Sequence, residues 1–214
     1  VNPADKIALD VAIANQGFTN SGVPIQLTLV GVTAVSPSYD EKIPTDSVQP
    51  LRDVTSGTIA NFATIRDMRT ALKADFVTMY ADRSEYCGIA WINAGMSSSY
   101  GFSVVAAGCT GSVSFAHELG HNLGLRHDRY VEAATGTDVY NYGFVNTTGK
   151  FRDIMSYSSQ CAALGISCTR ITYYSGSKLT YNGLPLGIPQ GTTGAADASR
   201  KLTENAISAS AFRQ

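Results

Sequence analysis

Histidine is scarce in this chain. Its 214 residues hold three, and all three fall within the eleven positions 117–127. A chain that confines imidazole to one place uses it for the chemistry of that place. Charge is thin as well: charged residues make up 15%, and the formal net charge is -1. There is no basic patch, aromatic–basic interleaving or block of like charge, which argues against nucleic acid and anionic membranes as partners. No apolar run approaches the roughly 18 residues needed to span a bilayer. None of the four cysteines has C-x-x-C spacing, which disfavours a cysteine-rich structural zinc site. The chain has no D-x-[DN]-x-[DN]-G loop, so no motif supports calcium, which stays open. It starts at Val1 without a signal peptide. The expectation is a mature fragment cut from a longer precursor, or a trimmed piece of one, and for an exported protein a removed inhibitory propeptide is expected.

What is present is concentrated in His117-Glu118-Leu119-Gly120-His121-Asn122-Leu123-Gly124-Leu125-Arg126-His127-Asp128, an H-E-x-x-H-x-x-G-x-x-H run. On a helix, His117 and His121 lie one turn apart on one face and can reach one ion. Glu118 is rotated by roughly 100° and misses the first coordination shell, yet it can lie beside a water on the metal. Continued as helix, His127 would sit roughly 15 Å beyond His117 on another face. It joins the same ion only if the helix stops and the chain turns back. Gly124 stands where that turn is required. Three neutral nitrogen ligands leave one position of a tetrahedral zinc for water. Glu118 would take that water's proton and deliver it to the leaving amine, hydrolysing a peptide bond without a covalent intermediate.

These residues resemble the metzincin zinc metallopeptidases. The resemblance implies that Met155, in Asp153-Ile154-Met155-Ser156-Tyr157-Ser158, forms a packed, non-ligating methionine turn beneath the histidines. The bland alternative is core filler. Tyr157 is similar to the tyrosine of the astacin and serralysin branches, which stabilises the oxyanion, whereas Asp128 is a reprolysin-like feature. Asp128 abuts a ligand and is expected to orient backbone or supporting groups. The wider match, through Cys87-Gly88-Ile89-Ala90-Trp91, Ser114-Phe115-Ala116 and Arg170-Ile171-Thr172-Tyr173, resembles bacterial reprolysin-like and peptidyl-Asp metalloendopeptidases. That implies a secreted, zinc-dependent endopeptidase acting on extended peptide or protein substrates, with a preference for an acidic residue after the cut. Such a pocket needs a cation. Arg152, Lys150 and Arg170 flank the methionine turn, and their alternative reading is exposed, solvated charge. Rival functions are a zinc-binding homologue without proteolysis and a zinc hydrolase of non-peptide amides.

Four cysteines allow three connectivities. Cys161 and Cys168 bracket a short loop and are expected to pair, as are Cys87 and Cys109 across two adjacent strands. Four free thiols are the alternative. Two disulfides agree with an oxidising compartment.

The chain is expected to be α/β (α+β), a single catalytic domain over 1–214 with subdomains 1–124 and 125–214. The resemblance implies a twisted, mostly parallel sheet with an antiparallel edge strand, an active-site helix, and an irregular C-terminal part ending in a helix. The patterning predicts helices at 4–15, 59–73, 113–123 and 195–212, with Gly17 breaking the first. It predicts strands at 25–35, 74–81, 88–93 and 102–107, and a loop at 40–54 containing Pro44 and Pro50. The resemblance implies that residues 88–93 are the antiparallel edge above the cleft, where a peptide can add as a further strand. Trp91 reads as core.

Overall fold

The first helix, α1 (Pro3–Asn20), begins where the Asn2 side chain accepts the Ala4 N–H at 3.0 Å, with Pro3 and Asp5 in its first turn. Cap, proline and acidic residue all favour a helix start at that point. These contacts are seen in a computed structural model that describes residues 2–35, 39, 46–82 and 85–213. The helix does not break at Gly17 as expected but runs on to Asn20. A Cβ on Gly17 would come 2.8 Å from Ile154 Cδ1. The glycine therefore admits close packing and does not end the helix. Asp10 ties α1 to the sheet, accepting the Tyr80 hydroxyl at 2.9 Å and the Gly111 N–H at 2.7 Å.

Two further expectations need correction. The predicted loop at 40–54 contains helix α2 (Gln49–Ser56), and its residues 40–45 lie outside the described residues. Pro50 falls in the first turn, where a missing N–H breaks no helical bond. The predicted strand at 25–35 is not formed. Among the described residues its backbone pairs with no other strand. The Asn15 side chain clamps Leu27 by donating to its carbonyl at 3.1 Å and accepting its N–H at 2.7 Å. A cavity of about 1050 Å³ is lined by residues of this segment, Leu27 and Leu29 among them, together with Phe76 and Met79. Alternation supplies the side chains of a strand but not a partner for its backbone.

Helix α3 (Ala60–Ala71) leads into a three-stranded sheet of β1 (Val77–Ala81), β2 (Gly88–Ala90) and β3 (Phe102–Ala106), ordered β1-β3-β2. β1 runs parallel to β3 and β2 antiparallel to it. β3 is buried along its length, which leaves β2 as the expected antiparallel edge, though shorter than predicted. The Cys87–Cys109 disulfide joins the start of β2 to the turn after β3. Trp91 donates to Thr55 Oγ1 at 2.8 Å and packs on the core.

Helix α4 (Ser114–Asn122) lies against this sheet. Its last residue, Asn122, donates to the carbonyls of Trp91, Tyr100 and Phe102. One core cluster joins Phe18 of α1, Leu119 of α4, Ile154, Met155, Tyr174 and Leu202. The second half consists of short pairings: β4 (Arg126–Asp128) with β5 (Tyr142–Gly143), and β6 (Val145–Asn146), β7 (Phe151–Arg152) and β8 (Thr169–Arg170) in a second sheet. A short helix, α5 (Ser159–Ala163), carries Cys161, which is bridged to Cys168, and α6 (Ala198–Ala209) closes the fold, shorter than predicted. Among the described residues no helix is long and apolar enough to cross a membrane.

Candidate metal centre

Helix α4 carries His117, Glu118 and His121 and then stops. Gly124 adopts φ +90, Gly124 N–H donates to His121 O, and Leu125 N–H donates to Gly120 O, both at 2.9 Å. This pair of bonds closes a Schellman turn, whose left-handed position favours glycine. The chain reverses into β4 and brings His127 back to the helix.

The three rings converge. His121 Nε2 lies 3.2 Å from His117 Nε2 and 3.0 Å from His127 Nε2, and one ligand atom from each ring falls within 4.8 Å of the others. Nitrogens bound at 2.0–2.1 Å to one tetrahedral ion stand about 3.4 Å apart. The triad therefore fits a zinc-sized ion with little adjustment. Outward nitrogens are held too: His117 Nδ1 donates to Ile154 O and His121 Nδ1 to Leu125 O, each at 2.9 Å. A carbonyl can only accept, so Nδ1 carries the proton and Nε2 keeps its lone pair for the metal. Burial pushes His117 well below the usual histidine range, takes His121 down to about 4, and lowers His127. All three are neutral near pH 7, as ligation requires.

Glu118 is 5% exposed and faces β2. Burial raises its carboxyl to about 8, opposed by the positive charge of Arg170. Its neighbour is the backbone of Gly88, where a Cβ would come 2.5 Å from Glu118 Cγ and Oε1. Nothing in the local sequence ties Gly88 to Glu118.

Met155 is fully buried. A Cβ on Gly120 would meet its Sδ at 2.5 Å, so the thioether lies directly against α4 between the two helical histidines in sequence. Asp128, 2% exposed, accepts the N–H groups of Tyr130 and Val131 through Oδ1 and that of Tyr157 through Oδ2, tying the loop after the third histidine to the methionine turn. Tyr157 places its ring 4.8 Å from that of His127, and the residue is 42% exposed. Burial raises its hydroxyl pKa, with Glu118 adding to the effect.

The three cations flanking this turn diverge. Lys150 is exposed at φ +54 between β6 and β7. Arg152 Nη1 and Arg170 Nη2 both donate to Ser156 O, at 2.6 and 3.0 Å. Neither forms an ion pair among the described residues, and each has a buried Nε without an acceptor. Burial takes Arg152 down to about 10, with Arg170 adding to the effect, and burial also lowers Arg170. These two are partly buried cations rather than freely solvated ones.

Comparison with known proteins agrees with this geometry. Residues 3–182 match the family described as Metallo-peptidase family M12B Reprolysin-like. A peptidyl-Asp metalloendopeptidase of Stenotrophomonas maltophilia is 33% identical over 216 residues, covering 99% of this chain and 48% of that protein. One from Xanthomonas campestris pv. campestris is 33% identical over 213 residues, with the same coverage. The chain thus spans about half the length of the curated relatives it matches. A solved structure titled "Structure of a chaperone-substrate complex" is similar with a TM-score of 0.70 and 25% identity, over 98% of this chain and 34% of that one. The chain belongs to the reprolysin-like metallopeptidases of family M12B.

Proposed function

We propose that this chain is the catalytic part of a secreted, zinc-dependent endopeptidase that cuts ahead of acidic residues. The observation that carries the reading is the convergence of three neutral imidazoles beside a buried carboxyl. His117, His121 and His127 hold the zinc. When bound, zinc makes water a usable nucleophile near neutral pH and polarises the scissile carbonyl. Glu118 accepts the proton of the attacking water at a carboxylate oxygen and passes it to the amide nitrogen as that bond breaks. The zinc's charge favours the ionised carboxylate that this role needs. The Tyr157 hydroxyl donates to the developing oxyanion. An extended substrate pairs along the free edge of β2, so main-chain bonds supply affinity over many sequences. Two disulfides support export. An inhibitory propeptide fits an exported protease, and an intact precursor with full activity would remove that part.

Arg152 and Arg170 support the acidic preference. Both guanidiniums lie on one carbonyl of the methionine turn, with buried N–H groups left over. A carboxylate is the group that completes such a pair. Arg170→Gln is expected to lower kcat/KM for an Asp-containing peptide by about 30-fold relative to its Asn counterpart, the value of one charged hydrogen bond. Equal losses on both peptides would place the acidic reader elsewhere. The reading as a whole is tested by digesting a proteome-derived peptide library with and without chelator. Chelator-sensitive internal cuts are expected, with acidic residues after them. No cuts from folded, zinc-loaded protein would end it.

Gly88 gives a further check. In Gly88→Ala the new Cβ would stand 2.5 Å from Glu118 Oε1 and push the carboxyl aside, and a misplacement of about 1 Å costs roughly 100-fold in kcat. Zinc titration should show unchanged affinity, because no ligand moves. Normal kcat in a correctly folded variant would mean that Glu118 tolerates displacement and is not the base.

A further inference from the structure

Two of the three converging histidines are fixed twice over, by the helix that carries them and by a core carbonyl behind each ring. His127 has neither. It lies in a three-residue strand beyond the helix, and its side chain is 25% exposed. What stands behind it is the side chain of Glu132, 13% exposed. Glu132 Oε1 accepts the His127 N–H at 2.9 Å and lies 3.5 Å from His127 Nδ1. Its other oxygen accepts Arg126 Nε at 2.6 Å. The Glu132 N–H donates to Asp128 O at 3.2 Å, folding the segment back onto β4. Both carboxylate oxygens are thus engaged, one by a ligand residue and one by a cation that holds the group in place.

We propose that Glu132, fixed by Arg126, is a positioning residue for the third metal ligand. It holds the His127 backbone, keeps the ring proton on Nδ1, and turns Nε2 toward the ion. Its charge also favours a divalent cation one ring away. No motif in the sequence singles it out.

The inference rests on the three histidines holding a metal, and the test separates the two failures. The parent protein, Glu132→Gln and Glu132→Ala are stripped and titrated with zinc against a chromophoric chelator. The visible absorption of their cobalt forms is recorded, and each metal-free protein is melted. Glu132→Gln keeps an acceptor for the His127 N–H but loses the charge. It is expected to bind zinc about 10-fold more weakly, with altered cobalt bands and metal-free melting close to the parent's, and Glu132→Ala more weakly still. Glu204→Gln removes the same charge from the exposed Arg200–Lys201 cluster and should bind zinc as the parent does. Parent-like zinc affinity and cobalt bands in Glu132→Gln would overturn the proposal. So would equal weakening in Glu204→Gln, or weakening matched by an equal loss of metal-free stability. A parent that binds no zinc would instead overturn the metal reading beneath it.

Discussion

Glu118→Ala is expected to lower kcat by roughly 10²- to 10⁴-fold, the range for loss of a positioned proton-transfer group, while zinc affinity stays at the parent value. The split follows from position. The converging nitrogens belong to His117, His121 and His127, whereas Glu118 is rotated away from them toward Gly88. Glu118→Gln should lose nearly as much, since an amide of the same size cannot accept the proton. Stability should not fall in either variant. Burial raises this carboxyl to about 8, so its ionised form is disfavoured in the fold and removing it relieves that cost. Steady-state kinetics, zinc titration and thermal melting on one preparation check all three points. Near-normal turnover in Glu118→Ala would remove Glu118 from the mechanism, and loss of zinc would make it a ligand.

The histidine triad was legible because spacing along a helix converts directly into direction, and because Gly124 marks the reversal. Most of the helices and strands around it were legible from periodicity, and the edge position of β2 from the metzincin resemblance. What stayed hidden needs partners distant in sequence. Gly17 reads as a helix breaker until Ile154 is seen packed against it. Pro50 reads as a loop residue until it is found in a first helical turn. Residues 25–35 have the alternation of a strand, but nothing local reveals that the backbone has no neighbouring strand among the described residues. Arg152 and Arg170 look like ordinary surface charge in a linear reading, yet the second sheet brings both to Ser156 O. Gly88 and Glu132 escaped for a similar reason, because each acts on a residue that a turn or crossover delivers.

Asp153→Ala is expected to destabilise the metal-free protein by about 2–6 kcal/mol, at 1–3 kcal/mol for each buried donor left without an acceptor. Asp153 is fully buried. Its Oδ1 accepts the Ser156 hydroxyl at 2.6 Å, and its Oδ2 accepts the Ser175 N–H at 2.9 Å. It thereby holds the methionine turn closed and fastens it to the segment that carries Tyr174 and Ser175. Ile154 O receives the His117 ring, so a loosened turn also disturbs a ligand. Weaker zinc binding should accompany the stability loss, unlike the pattern for Glu118→Ala. The pH dependence is a second signature. Burial raises Asp153 from 3.8 to about 6, so the folded state binds a proton that the unfolded chain has already released between those values. This carboxyl therefore opposes stability increasingly as pH rises through that window, and the cost is fully present above it. Asp153→Ala should flatten that part of the stability–pH curve. Chemical denaturation in chelator across the window measures both effects. An unchanged slope with a large loss of stability would mean that Asp153 is ionised throughout, held so by its two donors.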